Sequence, residues 1–169
     1  MGDESEYIKL AELPSSGRLL DIGGGTGRIA SSFTGLVDQV TNVDITIEML
    51  KVANDKGIPS ICSQGESLPF QDDLFSRILI IDSLHHINQQ EQVIADAMRV
   101  LSPDGLLLIV EPSFDHITGL MIRIFEKVLF MKSNFLKDDS IVKMLSKHTK
   151  NVKLYHRNGS SWLVARKTI

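Results

Sequence analysis

Apolar residues along this chain fall into two periods, short solid runs closed by glycine, proline or a carboxylate and longer stretches with a three-to-four repeat. The solid runs read as strands and the repeats as helices. Residues 4–13 predict a short helix stopped by Pro14. Arg18–Ile22 is a strand that runs directly into glycines. A helix over 28–33 follows, then a strand over 39–43 ending at Asp44. Thr46 is placed to cap a helix over Ile47–Asp55, which Gly57-Ile58-Pro59 terminates. Residues 60–63 give a third strand, and Phe75–Ile81, with five apolar residues in seven, suits a strand buried on both faces.

Further along, 88–101 reads as a helix with Val93, Ala97 and Val100 on one stripe. Ser102-Pro103-Asp104-Gly105 makes a turn before an apolar fifth strand over 106–110. Helices are expected over 116–131 and 138–147. Val152–Arg157 and 160–165 flank Asn158-Gly159, the favoured two-residue hairpin loop. Strands alternating with helices call for an α/β fold, Rossmann-like and doubly wound. Its sheet is mainly parallel and seven-stranded, with helices on both faces and an antiparallel C-terminal hairpin.

With 169 residues and 43% apolar content, the chain fits one domain able to bury a substantial core. We expect a single domain over 1–169: a cofactor-binding part over 14–111, a substrate or lid part over 112–148 and the closing hairpin over 150–167. The single cysteine, Cys62, cannot form an internal disulfide and is expected to pack within the third strand. No apolar run reaches the roughly 18 residues of a membrane span. The acidic opening is unlike a secretory signal, so a cytoplasmic protein is expected. Charge is split: residues 1–120 hold seven Lys and Arg against eighteen Asp and Glu, while residues 121–169 hold eleven against three. Such a split signals either an anionic partner or two complementary faces of one domain.

The chemistry concentrates in Leu19-Leu20-Asp21-Ile22-Gly23-Gly24-Gly25-Thr26-Gly27. Glycines after a buried strand allow a tight turn and a close ligand approach, and the next helix offers free N–H groups. Gly25-Thr26-Gly27-Arg28-Ile29-Ala30 also satisfies the dinucleotide pattern, so a nicotinamide or flavin enzyme competes. Asp21 tips the balance. A carboxylate beside the turn repels a pyrophosphate, whereas an ammonium or sulfonium is attracted to it. Asp44, at the end of the next strand, suits the two hydroxyls of a ribose with either cofactor. As purely structural groups, Asp21 would be a helix cap and Asp44 a turn residue.

These residues resemble class I S-adenosylmethionine-dependent methyltransferases, particularly the group that includes the ubiquinone and menaquinone biosynthesis enzymes. Asp21, Gly23, Gly25 and Gly27 match the family's D-x-G-x-G-x-G, and Asp44 its ribose-binding acid. Ser63-Gln64-Gly65-Glu66-Ser67-Leu68-Pro69-Phe70 is similar to G-D-A-E-x-L-P-F. Leu84-His85-His86-Ile87 and Leu101-Ser102-Pro103-Asp104-Gly105-Leu106 are similar to the L-H-H and L-x-P-G-G-x-L segments. The five blocks cover 19–111. The resemblance implies S-adenosyl-L-methionine as cofactor, held by Asp21, Gly23, Gly24, Gly25, Gly27, Asp44, Ile45, Gln64, Gly65, Glu66 and Asp82. Gln64 stands where the family has an aspartate, but its carboxamide oxygen can still accept from the adenine amino group. Asp104 replaces a turn glycine. Asp82 ends the fourth strand, as an extra acceptor for the methionyl ammonium or as a simple strand-end carboxylate.

Methyl transfer from a sulfonium is an in-line displacement in which the protein supplies alignment and a dry site. A general base is needed only for a protonated nucleophile. His85, His86, Glu111 and His116 are weak candidates for it, the structural role being the stronger expectation for each, and no metal site is expected. A small-molecule acceptor, apolar or amphiphilic, is the leading expectation. A nucleic-acid or protein methyltransferase is the alternative, nucleic acid being disfavoured by the absence of a recognition module. A non-catalytic methyltransferase-like binding subunit is a third reading. It draws on the broad apolar surface of 116–131, where Arg123, Glu126 and Lys127 share a narrow polar arc containing Phe130. That helix predicts packing on the sheet, or a surface for a second copy or partner subunit. Trp162 is expected in the core.

Overall fold

Among the described residues, strand-forming runs become seven strands: β1 (Arg18–Ile22), β2 (Gln39–Asp44), β3 (Ser60–Cys62), β4 (Phe75–Ile81), β5 (Leu101–Pro112), β6 (Val152–Arg157) and β7 (Ser160–Arg166). The computed structural model describes residues 4–113 and 134–168. Its sheet has the order β3-β2-β1-β4-β5-β7-β6. The first five are parallel, and β7 runs antiparallel between β5 and β6. The expected helix 116–131 and His116 lie outside the described residues.

Strand alternation sorts the core into two layers. Leu20, Ile22, Ile78, Ile80, Leu107 and Ile109 face one side, where α4 (Gln90–Val100) and α5 (Asp138–Leu145) cover them. Leu19, Leu79, Ile81, Leu106, Leu108 and Val110 face the other. That layer packs with residues of α1 (Glu4–Leu10), α2 (Arg28–Ser31) and α3 (Ile47–Asp55). β4 and β5 are buried on both faces, which is why they read as nearly solid apolar runs.

Several boundaries differ from expectation for identifiable reasons. The 4–13 helix ends at Leu10, because Glu12 turns left-handed at φ 52° and the Arg77 guanidinium takes the Ala11 carbonyl at 2.6 Å. The 28–33 helix is a single turn. Its continuation tightens into i→i+3 bonds from Ser32, Phe33 and Thr34. The 102–105 turn does not precede the fifth strand but sits inside it as a bulge. Phe75 pairs with Leu101 while Arg77 pairs with Leu106. The helix over 88–101 is Gln90–Val100, and that over 138–147 stops at Leu145.

Thr46 makes no side-chain cap, and its N–H donates to Asp44 Oδ1 at 2.8 Å. Cys62 does not pack within its strand. It is exposed at the end of β3, an edge strand with neighbours on one side only. Asn158 and Gly159 both take positive φ, at 49° and 76°, as the hairpin turn requires. Trp162 is fully buried, 4.9 Å from the Tyr7 ring.

Part of the charge split is met within the molecule, among the described residues. Arg157 pairs with Glu6, Arg166 with Glu12 at 2.6 Å, Lys167 with Asp73 at 2.6 Å and Lys147 with Glu91. Four cations of the basic end thus meet four acids of the acidic part, each pair contributing at most about 1 kcal/mol at the surface. Among the described residues no helix is long and apolar enough to cross a membrane.

Candidate active site at the carboxyl ends of the central strands

In a sheet of this order the crevice opens where the chain reverses direction, between β1 and β4 at their carboxyl ends. The glycine loop lies there. Gly23 N–H is bound to the Val43 carbonyl at 2.7 Å, so the loop begins tied to β2. Gly25 sits at φ 54°, a left-handed conformation that glycine adopts without a Cβ penalty. Its N–H donates to Asp44 Oδ2 at 3.0 Å. Asp44 therefore joins loop to strand end, one oxygen on Gly25 and the other on Thr46. Next to it Ile45 is 69% exposed and Met49 44% exposed. Two apolar side chains held open beside a carboxylate form a wall suited to a ligand with a ribose and a flat ring.

Beneath the loop the arrangement is tighter. Asp21 and Asn42 are register partners on β1 and β2, both buried. A methyl group at Gly24 would lie 2.3 Å from Asn42 Oδ1 and 2.4 Å from Asp21 Oδ2, so no side chain fits there. Asn42 Nδ2 donates to the Gly25 carbonyl at 2.9 Å. Burial pushes the Asp21 carboxyl up to about 7, and the Asp44 charge adds to this, partly offset by Arg28 and the Ala30 N–H. Asp21 thus lies under the loop rather than on its surface. Asn42 was not singled out in the sequence, although its position two residues before Asp44 puts it on the same strand face.

The opposite wall is the end of β4 and the one-turn 3₁₀ helix Leu84–His86. Ser83 Oγ ties this wall to the Ile22 carbonyl at 3.0 Å. Asp82 adopts φ 50°, and its side chain reaches solvent. The surrounding walls still strip enough water to raise its pKa, with the Glu111 charge acting in the same direction. Glu111 is buried. Its Oε1 accepts from Ser83 N–H at 3.1 Å and Leu84 N–H at 2.8 Å, and its Oε2 bonds His85 Nδ1. The His85 ring is buried and stacked on Phe135 with centroids 4.5 Å apart. A narrow cavity lined by Leu84, His85, Gln90, Glu111, Phe135 and Ile141 adjoins the pair. His86 is exposed at the rim.

Gln64 is exposed, Glu66 half-buried and Gly65 buried, its Cα packed so closely that a methyl there would lie 3.1 Å from Ile22. The segment is stapled from α4. Asp96 Oδ2 accepts Leu68 N–H at 2.6 Å, and Arg99 bonds the Leu68 and Phe70 carbonyls. Burial alone would raise the Asp96 carboxyl, but bonds from Arg99 and Leu68 hold it below its usual value. This staple was not visible in the sequence, because its partners are some 30 residues apart. Among the described residues no group of three His, Cys, Asp or Glu side chains could hold a metal ion.

A glycine loop after β1, on this strand order with an antiparallel closing hairpin, is the fold of a methyltransferase domain. The chain belongs to the methyltransferase domain family, whose model matches residues 20–109. It is 36% identical over 160 residues to an uncharacterised protein of Methanocaldococcus jannaschii, covering 89% of this chain and 76% of that one. It is 37% identical over 115 residues to the ubiquinone/menaquinone biosynthesis C-methyltransferase of Pseudomonas putida, covering 62% of this chain and 45% of that protein. It therefore spans less than half the length of that enzyme. A solved S-adenosylmethionine-dependent methyltransferase of Thermotoga maritima superposes with a TM-score of 0.85 at 20% identity, covering 98% of this chain and 88% of that one.

Proposed function

We propose that this chain binds S-adenosylmethionine across the carboxyl ends of β1, β2 and β4 and transfers its methyl group to a small-molecule acceptor of apolar or amphiphilic character. The observation that carries the reading is the joint between Gly25 and Asp44, flanked by the exposed apolar Ile45 and Met49. The residues present fit the cofactor. Asp44 offers a carboxylate to the ribose hydroxyls, while Ile45 and Met49 offer apolar cover to the adenine face. Gln64 and Gly65 take the adenine edge, Glu66 belongs to the same turn, and Gly23, Gly24, Gly25 and Gly27 bring backbone close to the methionyl end. Asp82 is the acceptor for the methionyl ammonium. When bound, the cofactor supplies an electrophilic methyl on a cationic sulfonium.

Glu111 is committed to two backbone N–H groups and an imidazole, so its role is to orient His85 and the 84–86 turn rather than to remove a proton. Buried His85 steadies the 84–86 turn, and exposed His86 stands at the rim of the crevice. Titration calorimetry tests the cofactor: S-adenosylmethionine and its demethylated product are expected to bind and NAD is not, and tighter NAD binding overturns the reading. Labelled-methyl transfer to a panel of quinols, phenols and apolar acids, run beside RNA and protein, tests the acceptor. Transfer to RNA or protein alone overturns the small-molecule assignment.

A further inference from the structure

Buried acceptor atoms in a folded protein almost always have a donor, and two without one on paired strands need a specific account. Asp21 Oδ2 and Asn42 Oδ1 are both buried, and neither has a hydrogen-bond partner among the described residues. They belong to register partners on neighbouring parallel strands, and both come within bonding-scale distance of one point, the missing Cβ of Gly24. The orientation of the Asn42 amide is not arbitrary. Its Nδ2 donates to the Gly25 carbonyl at 2.9 Å, so its oxygen must be the atom turned toward Asp21. Turning the amide over would let Nδ2 donate to Asp21, but it would set Asn42 Oδ1 against the Gly25 carbonyl oxygen and leave that carbonyl without its donor.

We propose that in the cofactor-free protein Asp21 carries a proton on Oδ2 and donates it to Asn42 Oδ1. On this account Asn42 is the positioning residue of the glycine loop, and the proton is released to solvent when a cationic cofactor fills the crevice. One hydrogen atom satisfies both orphaned oxygens, while Asn42 holds the underside of Gly25 with its other end. The groups facing Asp21 agree. Asp44, at the end of β2, opposes a second negative charge, and Arg28 and the Ala30 N–H on α2 offset it only in part. On β4 the register neighbour is the apolar Leu79. The carboxyl accordingly sits near neutrality.

The release step rests on the cofactor reading above. A sulfonium brought over the loop favours the ionised form of Asp21, whereas the demethylated product lacks that charge. The chain would then hold the two ligands with different proton counts. Affinity for S-adenosylmethionine relative to product would rise as pH rises toward 7, since proton release becomes easier. The device therefore favours discharge of product at higher pH.

The carboxyl ¹³C shift of Asp21, assigned with the Asp21→Asn variant and followed from pH 5 to 9 in cofactor-free protein, tests the proton directly. A protonated-type shift at pH 6 with a transition near neutrality is expected. A carboxylate-type shift throughout overturns the proposal. Calorimetry at pH 6 in two buffers of different ionisation enthalpy tests the coupling. S-adenosylmethionine is expected to release up to about one proton more than S-adenosylhomocysteine, and Asp21→Asn, which still donates to Asn42, is expected to abolish the difference. Equal release by wild type overturns the coupling. Binding of neither ligand overturns the cofactor reading and the coupling with it, while the carboxyl titration is decided independently.

Discussion

Replacing Asp21 by asparagine separates the charge of this buried carboxyl from its shape. The side chains are nearly isosteric, and the introduced amide would keep donating to Asn42. The wild-type group titrates at 3.8 in an unfolded chain and at about 7 when folded. Between those values the folded protein holds a proton that the unfolded chain has lost, so stability falls as pH rises, by about 1.4 kcal/mol per unit. Below the lower value both states are protonated, and above the upper value both are ionised, so the slope is confined to that window. From pH 5.5 to 8 the wild type should lose about 2 kcal/mol through this group, a loss the variant escapes. Urea unfolding of both cofactor-free proteins at the two pH values measures it, with unchanged m-values as the control. Asp21→Asn is expected to gain on wild type by that amount at pH 8 relative to pH 5.5. A difference that does not vary with pH, or one that runs the other way, would show that Asp21 is ionised throughout and that the reasoning is wrong.

Two further outcomes follow from the loop. Asp44→Ala should weaken cofactor binding by about 1–3 kcal/mol, because a charged acceptor is lost to the ligand. Calorimetry of the folded variant measures this, and unchanged affinity would reduce Asp44 to a turn residue. Gly24→Ala should destabilise the protein by about 1–3 kcal/mol through overpacking, since its methyl would lie 2.3 Å from Asn42 and 2.4 Å from Asp21. Adding Asn42→Ala should restore part of the loss in thermal melts. Strictly additive effects would place the strain elsewhere.

The order of elements was legible because each central strand is buried on both faces and announces itself as an apolar run. β1, β4, α3 and β6 were read at their observed limits, since a glycine, a carboxylate or a proline-bearing turn closes each one locally. Boundaries moved where a distant partner decides them. Arg77 ends α1 from β4, and the bulge in β5 exists only because Phe75 and Arg77 pair on either side of it. Cys62 looks like a core residue in sequence and is exposed because β3 lies at the sheet edge, a fact of strand order rather than composition.

The same division runs through the site. Spacing singled out the 23–27 glycines with Asp21 and Asp44, because a tight turn and a strand-end carboxylate are local requirements, while Gly65 and Asp82 came only from the family resemblance. It could not show that Asp21 lies under the loop, that Asn42 meets it from β2, or that Asp96 and Arg99 staple the segment over 63–70. The four ion pairs between the basic end and the acidic part were likewise only one of two readings of a charge split. Parallel pairing and the return of the C-terminal hairpin bring together groups from about 20 to more than 150 residues apart. The chain carries its secondary structure in local patterns of volume and polarity. Which buried polar group meets which is settled only when the strands take their order, because burial and hydrogen bonding depend on neighbours in space.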